Sequence, residues 1–415
     1  MTIEMTNPQR LLLDVTATHA SNLKTGIQRV TLELFKWLAQ MHHGPVLPVY
    51  LHAVDGVWQH ELATAFAQQL RGETGMLRPD SLGEIGANDC LLHLDLATTP
   101  VSLAHEQGLY ARYQTKGAII ASIIYDLLPV RLPDCFPPVM QGHHRQWLAA
   151  LSSFDGALCI SQDVAGDLKC WFSQQQIDTA GLLIDWFKLG SDIGTFGGSS
   201  NHGQLKRRAR LRRFGTERAK TFLMVGTIEP RKGYAQALDA FEAVWADRRD
   251  CRLIIVGREG WTHLPPAQRQ TISEVVYRLE QHPERFRKLV WLSSANDAEL
   301  EQAYAQADCL LAASRGEGFG LPIIEAARRG VPALARDLPV FREVAPSGTV
   351  FFKNGELATA IAAWKPPDNA CTTNPASPVT WQESAVAVTH WLAHLQSHAA
   401  SLRRLQNKED HAIGN

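Results

Sequence analysis

The sequence predicts an α/β protein made of two doubly wound domains that face a cleft. Short apolar runs recur along the chain and are apolar on both strand faces, which is typical of parallel strands covered by helices on both sides. Segments with apolar residues at helical spacing separate these runs, so strands and helices alternate in two blocks. The length of 415 residues agrees with this organisation, because a domain takes about 150 residues.

The first block covers residues 1–190 and is predicted to be the N-terminal domain. It begins with a buried strand over residues 11–15, and a helical pattern of apolar residues follows over residues 27–38. Ser161 is expected to cap a helix that begins at Gln162, because a serine hydroxyl can accept the backbone N–H groups of a first helical turn. Further strands are predicted for residues 45–50, 90–94, 118–124 and 156–160.

Residues 191–216 break this rhythm and are predicted to link the two domains. A glycine- and serine-rich stretch over residues 194–203 has the composition of a flexible connection. Six cations follow between Lys206 and Arg213. This basic segment is either a solvated linker or a peripheral contact with anionic membrane lipid or a pyrophosphate-linked acceptor, since each cation contributes about 1 kcal/mol near a charged membrane.

The second block, residues 217–375, repeats the alternation and is predicted to be the C-terminal domain. Its strands are expected at residues 221–225, 251–256, 289–292 and 309–312, and each is short and apolar. A proline-containing break then precedes a helical pattern over residues 379–405. This terminal helix is expected to pack back towards the N-terminal domain.

Composition argues against several classes of protein. Lys plus Arg number 41 and Asp plus Glu number 42, so the net charge of −1 argues against a nucleic-acid partner. The seven cysteines are scattered without CxxC spacing, which indicates neither a disulfide framework nor a zinc site. No apolar run reaches about 18 residues, the length of a membrane helix, and the N-terminus lacks the pattern of a secretory signal. We therefore expect a soluble, cytoplasmic protein.

The densest candidate site lies between Ser314 and Ala326, where a predicted strand leads into a helix. Three glycines in five residues let the backbone approach a ligand closely, and Pro322 marks the first helical turn. A helix N-terminus offers unpaired N–H groups and a partial positive charge, which suit a phosphate or the hydroxyls of a sugar. Glu317 in the loop and Glu325 about one turn inside the helix can hold two portions of one extended ligand.

A second candidate site runs from Gly226 to Gly233 and also follows a predicted strand directly. Arg231 and Lys232 lie side by side before a helix, with glycines on both sides. A guanidinium fork and an ammonium group neutralise a diphosphate, and more strongly as the diphosphate departs with growing charge. This position therefore favours a diphosphate-binding role over a solvated surface pair.

These two strings resemble the donor half of the family 4 retaining glycosyltransferases. The seven residues between Glu317 and Glu325 match the family's spacing of paired glutamates. Two N-terminal strings, from Thr25 to Val30 and from Tyr125 to Pro129, are similar to a polysaccharide and lipopolysaccharide branch whose members are often mannosyltransferases. Further similar strings are Asp297 with Leu300 and Tyr304, Asp337 to Pro339, Arg342 to Val344, and Trp381 to Ala385.

The resemblance implies the GT-B fold, with two Rossmann-like domains, a nucleotide-sugar donor held by the C-terminal domain, and no metal or other cofactor. By position, Glu325 would hold the ribose hydroxyls and Glu317, as a catalytic residue, the donor sugar. Arg231 and Lys232 would bind the diphosphate, with Gly226 beside them. The rest of the donor site would be the segment from Val290 to Ser293 near the base, and Gly318, Phe319, Gly320 and Leu321 along the sugar and diphosphate.

The N-terminal half is expected to hold the acceptor. The resemblance implies that Gly26 opens a helix aimed at the diphosphate and that Arg29 lies on the same side, unless Arg29 is a surface residue. Asp126 follows a strand at the edge where ligands of open α/β sheets bind, so it is either the second catalytic residue or a cap of its loop. Tyr125 stands where many family members have histidine, which puts any role that needs an imidazole in doubt. His143 and His144 are interpreted as surface residues.

The predicted reaction transfers a hexose, mannose or a deoxyhexose, from a nucleotide diphosphate sugar to a glycan or lipid-linked acceptor, with retention at the anomeric carbon. Front-face attack beside the departing diphosphate is favoured, because the expected place of Glu325 at the ribose leaves no second carboxylate for a double displacement. A GDP-sugar such as GDP-mannose is suggested by the branch alone. Two alternatives stay open, a GT-B nucleotide-sugar epimerase and a non-catalytic nucleotide-sugar-binding subunit.

Overall fold

The structure, a computed structural model, describes residues 10–21, 26–70, 81–87, 89–192, 219–366 and 379–413. The chain divides into two units. The first comprises Met1–Val130, Val139–Gly190 and Val379–Asn415, and the second comprises Arg131–Pro138 and Ser191–Pro378. The short segment Arg131–Pro138 thus belongs to the second unit, which the sequence pattern does not indicate. Each unit is built around one predominantly parallel sheet.

Seven strands form the sheet in the described part of the first unit. They are β1 (Arg10–Asp14), β2 (Val46–Val54), β3 (Val57–Leu62), β4 (Asp89–His93), β5 (Ile119–Ile124), β6 (Gly156–Cys159) and β7 (Leu183–Trp186). Their order is β3-β2-β1-β4-β5-β6-β7, and each neighbouring pair is parallel except the hairpin of β2 and β3. The order reverses at β1, so the carboxyl ends of β1 and β4 form a switch point of the kind where open sheets bind ligands.

Helices cover this sheet, as its unbroken apolar strands require. All six residues of β5 are buried, which is expected for a strand covered on both faces. The Ser161 hydroxyl accepts the N–H of Val164 at 3.2 Å and is the N-cap of the helix that begins at Gln162, as predicted. The helices before residue 190 in the described ranges are α1 (Thr16–Ala20), α2 (Gly26–Met41), α3 (Thr64–Gln69), α4 (Thr98–Glu106), α5 (Leu109–Thr115), α6 (Leu128–Arg131), α7 (Pro138–Leu151) and α8 (Gln162–Gln174).

The described part of the second unit holds a six-stranded sheet in which every neighbouring pair is parallel. Its strands are β8 (Lys220–Val225), β9 (Cys251–Val256), β10 (Leu289–Leu292), β11 (Cys309–Ala312), β12 (Ala333–Arg336) and β13 (Val350–Phe352), in the order β10-β9-β8-β11-β12-β13. Its helices are α9 (Tyr234–Ala246), α10 (Ile272–Gln281), α11 (Asp297–Gln306), α12 (Leu321–Arg328), α13 (Pro339–Val344) and α14 (Leu357–Ala363). The predicted strands over residues 251–256, 289–292 and 309–312 have the bounds of β9, β10 and β11.

Four of the strands described above do not appear in the sequence prediction. β3 and β7 lie at the two edges of the first sheet and carry polar or exposed residues, so their apolar signal is weak. β12 has four residues and ends in an arginine, and β13 has only three residues. Edge position and shortness therefore explain these omissions.

The terminal helix α15 (Trp381–Ile413) belongs to the first unit and runs beyond the predicted end at residue 405. Trp381 is fully buried against Gly190, where an added Cβ would lie 2.5 Å from the Trp381 Cα. The Ser384 hydroxyl donates to the Lys188 carbonyl at 2.7 Å, so the first turn of α15 is fixed to this part of the chain. Residues 193–218, which include the predicted basic segment, lie outside the described residues.

Candidate active site

The two predicted motifs meet at the carboxyl ends of neighbouring strands, because β8 leads into one loop, β11 leads into the other, and the two strands are adjacent. The Arg315 N–H donates to the Arg231 carbonyl at 2.7 Å, which ties one loop to the other. Gly233 has a φ of 74°, and a Cβ at this position would lie 2.3 Å from the Ala313 oxygen. Glycine is therefore required where the two loops touch.

Glu317 lies at the centre of the hydrogen-bonded group that these loops form. Its Oε1 accepts from Lys232 Nζ and from the Ser314 hydroxyl, both at 2.6 Å, and its Oε2 accepts from Arg231 Nη1 at 3.0 Å. Arg231 Nε also donates to Glu229 at 2.9 Å. The two cations are therefore held in fixed positions by charge-assisted hydrogen bonds, and two carboxylates offset their charge.

Glu317 is ionised across the neutral pH range. Burial on its own would raise the pKa of this carboxyl, but the charges and hydrogen bonds of Lys232 and Arg231 lower the pKa to about 2. Such an acidic carboxylate is a weak proton acceptor at neutral pH, and N–H and O–H donors already engage its oxygens. Glu317 is thus better suited to orient cations and hydroxyl groups than to act as a base or a nucleophile.

The loop before α12 has a backbone that requires glycine at one position. Phe319 is buried and anchors the loop next to Gly318. Gly320 has a φ of 100°, and a Cβ there would lie 2.8 Å from the Phe341 ring. Leu321 follows as the first residue of α12. The predicted glycine-rich turn into a helix is therefore present in the structure.

Gly226 lies beside the lysine of the same loop, the one that follows β8. It has a φ of 143°, and an added Cβ would lie 3.5 Å from Lys232 Cε. The Tyr234 hydroxyl donates to the Gly226 carbonyl at 2.6 Å, which fixes the start of the loop. A small cavity at the ends of β8 and β11 is lined by Lys232, Ser314 and Glu317 among others.

Arg336 holds the start of the loop that follows β11, and its role was not predicted from the sequence. Its buried guanidinium donates to the carbonyls of Ala313 and Ser314 at 3.2 and 3.0 Å. Gln236 and Asn354 accept further N–H groups. An arginine at the end of the apolar strand β12 is the one signal in the sequence that points to this role.

Glu325 has a separate set of partners. It is buried in α12, and its Oε2 accepts from the Tyr304 hydroxyl at 2.9 Å. The Arg329 guanidinium donates to the Glu325 carbonyl at 2.7 Å. Ser293, the predicted base-side residue, is exposed just after β10, and β9 separates β10 from β8 in the sheet. The structure thus joins Glu317 to the two cations but does not bring Ser293 into that group.

Asp126 of the first unit follows β5, as predicted, and its Oδ1 accepts from the Leu128 N–H at 3.0 Å at the start of α6. The Tyr125 hydroxyl is buried and donates to the Leu94 carbonyl at 2.5 Å. The surface interpretation of His144 is wrong, because this ring is buried and its Nε2 lies 3.2 Å from the Asp126 carbonyl oxygen. An imidazole therefore contacts the backbone of Asp126 after all, although from α7.

The other two first-unit candidates both lie on α2. Gly26 is the first residue of this helix, and a Cβ added there would meet no atom within 4 Å. Arg29 lies one turn further on and is half-buried. The predicted helix start is therefore correct, while the open space around Gly26 shows no steric need for glycine.

A buried polar cluster at the switch point of the first sheet is absent from the sequence analysis. Asp14 Oδ2 lies 2.8 Å from His93 Nδ1 and 3.3 Å from His60 Nε2. Burial opposes the charge of Asp14, but the two imidazoles hold its pKa well below the usual range. In contrast, burial and the Asp14 charge raise the pKa of Asp95 to about 7. The sequence signal for this cluster is one polar residue at the end of each of two apolar strands, Asp14 in β1 and His93 in β4.

Comparison with known proteins places the second unit in a family. Residues 207–365 match the family described as glycosyl transferases group 1. The second unit carries a glycosyl transferases group 1 domain. The family 4 resemblance inferred from the glycine-rich and glutamate motifs is therefore confirmed, and the matched range contains both loops of the site.

Relatives of this chain include named mannosyltransferases. It is 30% identical over 375 residues to the serotype-specific mannosyltransferase WbdA of Escherichia coli, an alignment that covers 86% of this chain and 42% of WbdA. It is 30% identical over 135 residues to the O-antigen chain mannosyltransferase RfbU of Salmonella typhimurium, covering 32% of this chain and 35% of RfbU. The chain thus spans less than half the length of these relatives.

The solved structures support the predicted fold. The sucrose-phosphate synthase of Thermosynechococcus elongatus matches with a TM-score of 0.54 and 16% identity. The match covers 97% of this chain and 100% of that chain. Together with the two parallel sheets, this similarity confirms the GT-B fold class. The comparisons give no support to the epimerase or the non-catalytic alternative.

No helix in the described ranges combines the length and hydropathy needed to cross a membrane. Within the same ranges, no group of three or more His, Cys, Asp or Glu side chains is placed to hold a metal ion.

Proposed function

We propose that this chain is a retaining, metal-independent hexosyltransferase that moves mannose or a deoxyhexose from a nucleotide diphosphate sugar to a glycan or lipid-linked acceptor in surface polysaccharide synthesis. The observation that carries the proposal is the group of Glu317, Arg231 and Lys232 at the ends of two adjacent strands. The names of WbdA and RfbU support mannose as the transferred sugar. GDP-mannose is the donor we expect to bind first.

Arg231 and Lys232 would hold the diphosphate of the donor. Both cations are already oriented by carboxylates, so their positions need little reorganisation when a ligand binds. When the bond between C1 of the sugar and the phosphate oxygen breaks, negative charge grows on the departing diphosphate. Fixed cations stabilise that charge more in the transition state than in the bound substrate, which accelerates the step.

Glu317 would contact donor-sugar hydroxyls and keep the cations in place. Its pKa of about 2 and its three donors argue against nucleophilic attack on C1. We infer front-face transfer instead. The acceptor oxygen bonds to C1 on the side from which the diphosphate leaves, and the leaving phosphate oxygen takes the acceptor proton. This route retains the anomeric configuration and depends mainly on orientation and electrostatics.

On the acceptor side we propose Asp126 as the residue that contacts the attacking hydroxyl, with Gly26 and Arg29 near the diphosphate. Asp126→Asn separates this role from capping, because asparagine is an equally good cap but carries no charge. A loss of turnover at unchanged thermal stability would support a catalytic role. Equal turnover of Asp126→Asn and the native chain would leave Asp126 as a cap only.

Thermal unfolding with GDP, UDP, dTDP and ADP, each added alone, tests donor binding. A ligand at 100 times its dissociation constant adds about 2.7 kcal/mol of stability, which shifts the transition clearly. We expect a shift with GDP that Glu325→Gln diminishes, because the neutral amide binds ribose hydroxyls more weakly. A shift with a different nucleoside diphosphate would replace guanine as the expected base of the donor. The absence of any shift would contradict the proposed donor site.

Membrane association through the segment from Lys206 to Arg213 is a separate proposal. Its composition is that of a cluster which binds anionic lipid, and a lipid-linked acceptor would be reached at such a surface. Co-sedimentation with anionic vesicles, weakened by salt and absent with neutral vesicles, is the expected result. Equal behaviour with both vesicle types would contradict it.

A further inference from the structure

Tyr304, a residue of α11, is buried against Glu325 of α12, outside the group around Glu317. Its ring is almost wholly shielded from solvent, with 1% of the residue exposed, and its hydroxyl donates to Glu325 Oε2 at 2.9 Å. The two residues lie 21 positions apart in sequence, so their contact is a product of the fold. A hydroxyl that donates to a buried carboxylate forms a charge-assisted hydrogen bond.

The surroundings of Tyr304 hold this hydroxyl in place. The Arg329 guanidinium lies over the Tyr304 ring at 4.4 Å from its centre, and it also donates to the Glu325 carbonyl at 2.7 Å. Glu301 on α11 accepts from the same guanidinium. Arg329 therefore connects α11 to α12 and prevents the tyrosine ring from turning away from the carboxylate.

We propose that Tyr304 is a positioning residue that makes the donor site selective for a ribose with its hydroxyl groups. The inference rests on the proposed function, in which Glu325 binds those hydroxyls. The Tyr304 hydroxyl occupies Oε2 of Glu325 and fixes the plane of the carboxylate, and this plane sets the direction in which Oε1 accepts hydrogen bonds. Without that hydroxyl, the carboxylate loses one of the contacts that orient it, and the torsional preference about its terminal bond is broad.

Loss of the Tyr304 hydroxyl should affect the binding of the ribose and not that of the diphosphate. Removing the Tyr304 hydroxyl should weaken the hydrogen bonds to the ribose and leave the contacts of Arg231 and Lys232 with the diphosphate unchanged. A merely structural role would instead weaken every ligand that binds this unit. Ligands with and without ribose hydroxyls therefore separate the two roles.

The test compares the binding of GDP and 2′,3′-dideoxy-GDP by calorimetry. If the thermal screen selects UDP or ADP, that nucleotide and its dideoxy form are used. The variants are Tyr304→Phe, which keeps the ring, and Glu325→Gln. Tyr110→Phe is the matched control, because it removes the hydroxyl of another fully buried tyrosine, in the first unit.

We expect Tyr304→Phe to bind GDP about 3- to 10-fold more weakly and the dideoxy form within about two-fold of the native chain, as the loss of one hydrogen bond implies. Tyr110→Phe should bind both ligands normally. Equal weakening of both ligands, or no change in either, would overturn the inference while leaving the ribose role of Glu325 intact. If the native chain binds the two ligands equally, or if Glu325→Gln weakens GDP no more than the dideoxy form, the ribose assignment itself fails and this inference with it.

Discussion

Glu317 shows how a single side chain determines the chemistry available at the site. Its carboxyl pKa falls from 4.5 to about 2 because of its cationic partners, which corresponds to about 3 kcal/mol of favourable interaction in the folded state. Because the folded pKa lies below the unfolded one, this stabilisation is fully present above about pH 4.5 and is lost as the pH falls towards 2. The residue therefore remains charged wherever the chain is folded near neutral pH.

Replacing Glu317 with glutamine should remove most of the activity. The substitution keeps the shape but leaves two cations without their shared counter-charge, so their positions relative to a diphosphate change. We expect kcat to fall by about 100-fold or more, the effect of losing one preorganised electrostatic contact, and the free energy of unfolding to fall by about 1–3 kcal/mol. Initial rates and urea titrations measure the two quantities. Turnover at the native rate would contradict the role given to this carboxylate.

Asp95 should make stability depend on pH in the opposite sense. Burial and the nearby charge of Asp14 raise its pKa to about 7 from an ordinary 3.8, so the folded chain favours the protonated form. The stabilisation is full below about pH 4 and is lost as the pH rises towards 7. In the native chain the Thr18 N–H donates to Asp95 Oδ2 at 2.7 Å. Asp95→Asn removes the titration but keeps an oxygen that can accept this N–H.

Urea unfolding at pH 5 and pH 8 measures the effect of Asp95. The native chain should lose more unfolding free energy between these two pH values than Asp95→Asn does. Identical losses in both chains would show that Asp95 is ionised in the folded state at both pH values.

At the level of elements, the contact between the two site loops is sensitive to substitution. Gly233→Ala forces a Cβ to within 2.3 Å of the Ala313 oxygen, in a backbone conformation with a φ of 74°. Gly330→Ala is the matched control, because Gly330 has a φ of 68° but no atom within 4 Å of an added Cβ. Both variants lose about 1–2 kcal/mol to the left-handed conformation. Only Gly233→Ala should also lose donor binding, as thermal shifts with GDP would measure.

If both glycine variants retain the same shift with GDP, the two loops do not depend on each other. If both lose it, the effect comes from general destabilisation and the loop contact is not the cause.

The sequence motifs predicted the loops of the site, but their partners required the fold. The strings around Arg231 and Glu317 follow apolar strands, so their place at strand ends could be predicted from local pattern. Arg336 and the cluster around Asp14 were missed, and the contact of Tyr304 with Glu325 was not predicted. Each acts across a long sequence separation that no local pattern encodes. Short or edge strands were missed because their apolar signal is weak.

In the complete chain, the two units carry different groups of candidate residues. The second unit supplies the proposed donor site and the group 1 match. The first unit supplies Asp126 and the switch point at β1 and β4, and α15 completes its packing, with Trp381 and Trp391 among its buried residues. An added Cβ at Gly156 would lie 2.8 Å from the Trp391 ring, so the strand β6 and α15 are closely packed.

The central claim is transfer with retention from a nucleotide diphosphate sugar. The most direct measurement is to incubate the chain with GDP-α-mannose and an octyl α-mannoside and to determine the new linkage by NMR, with Glu317→Gln as the control for enzyme dependence. We expect a disaccharide product that is α-linked and that forms at a much lower rate with the variant. A β-linked product would contradict the front-face mechanism, and formation of the same product by the variant at the native rate would contradict the site.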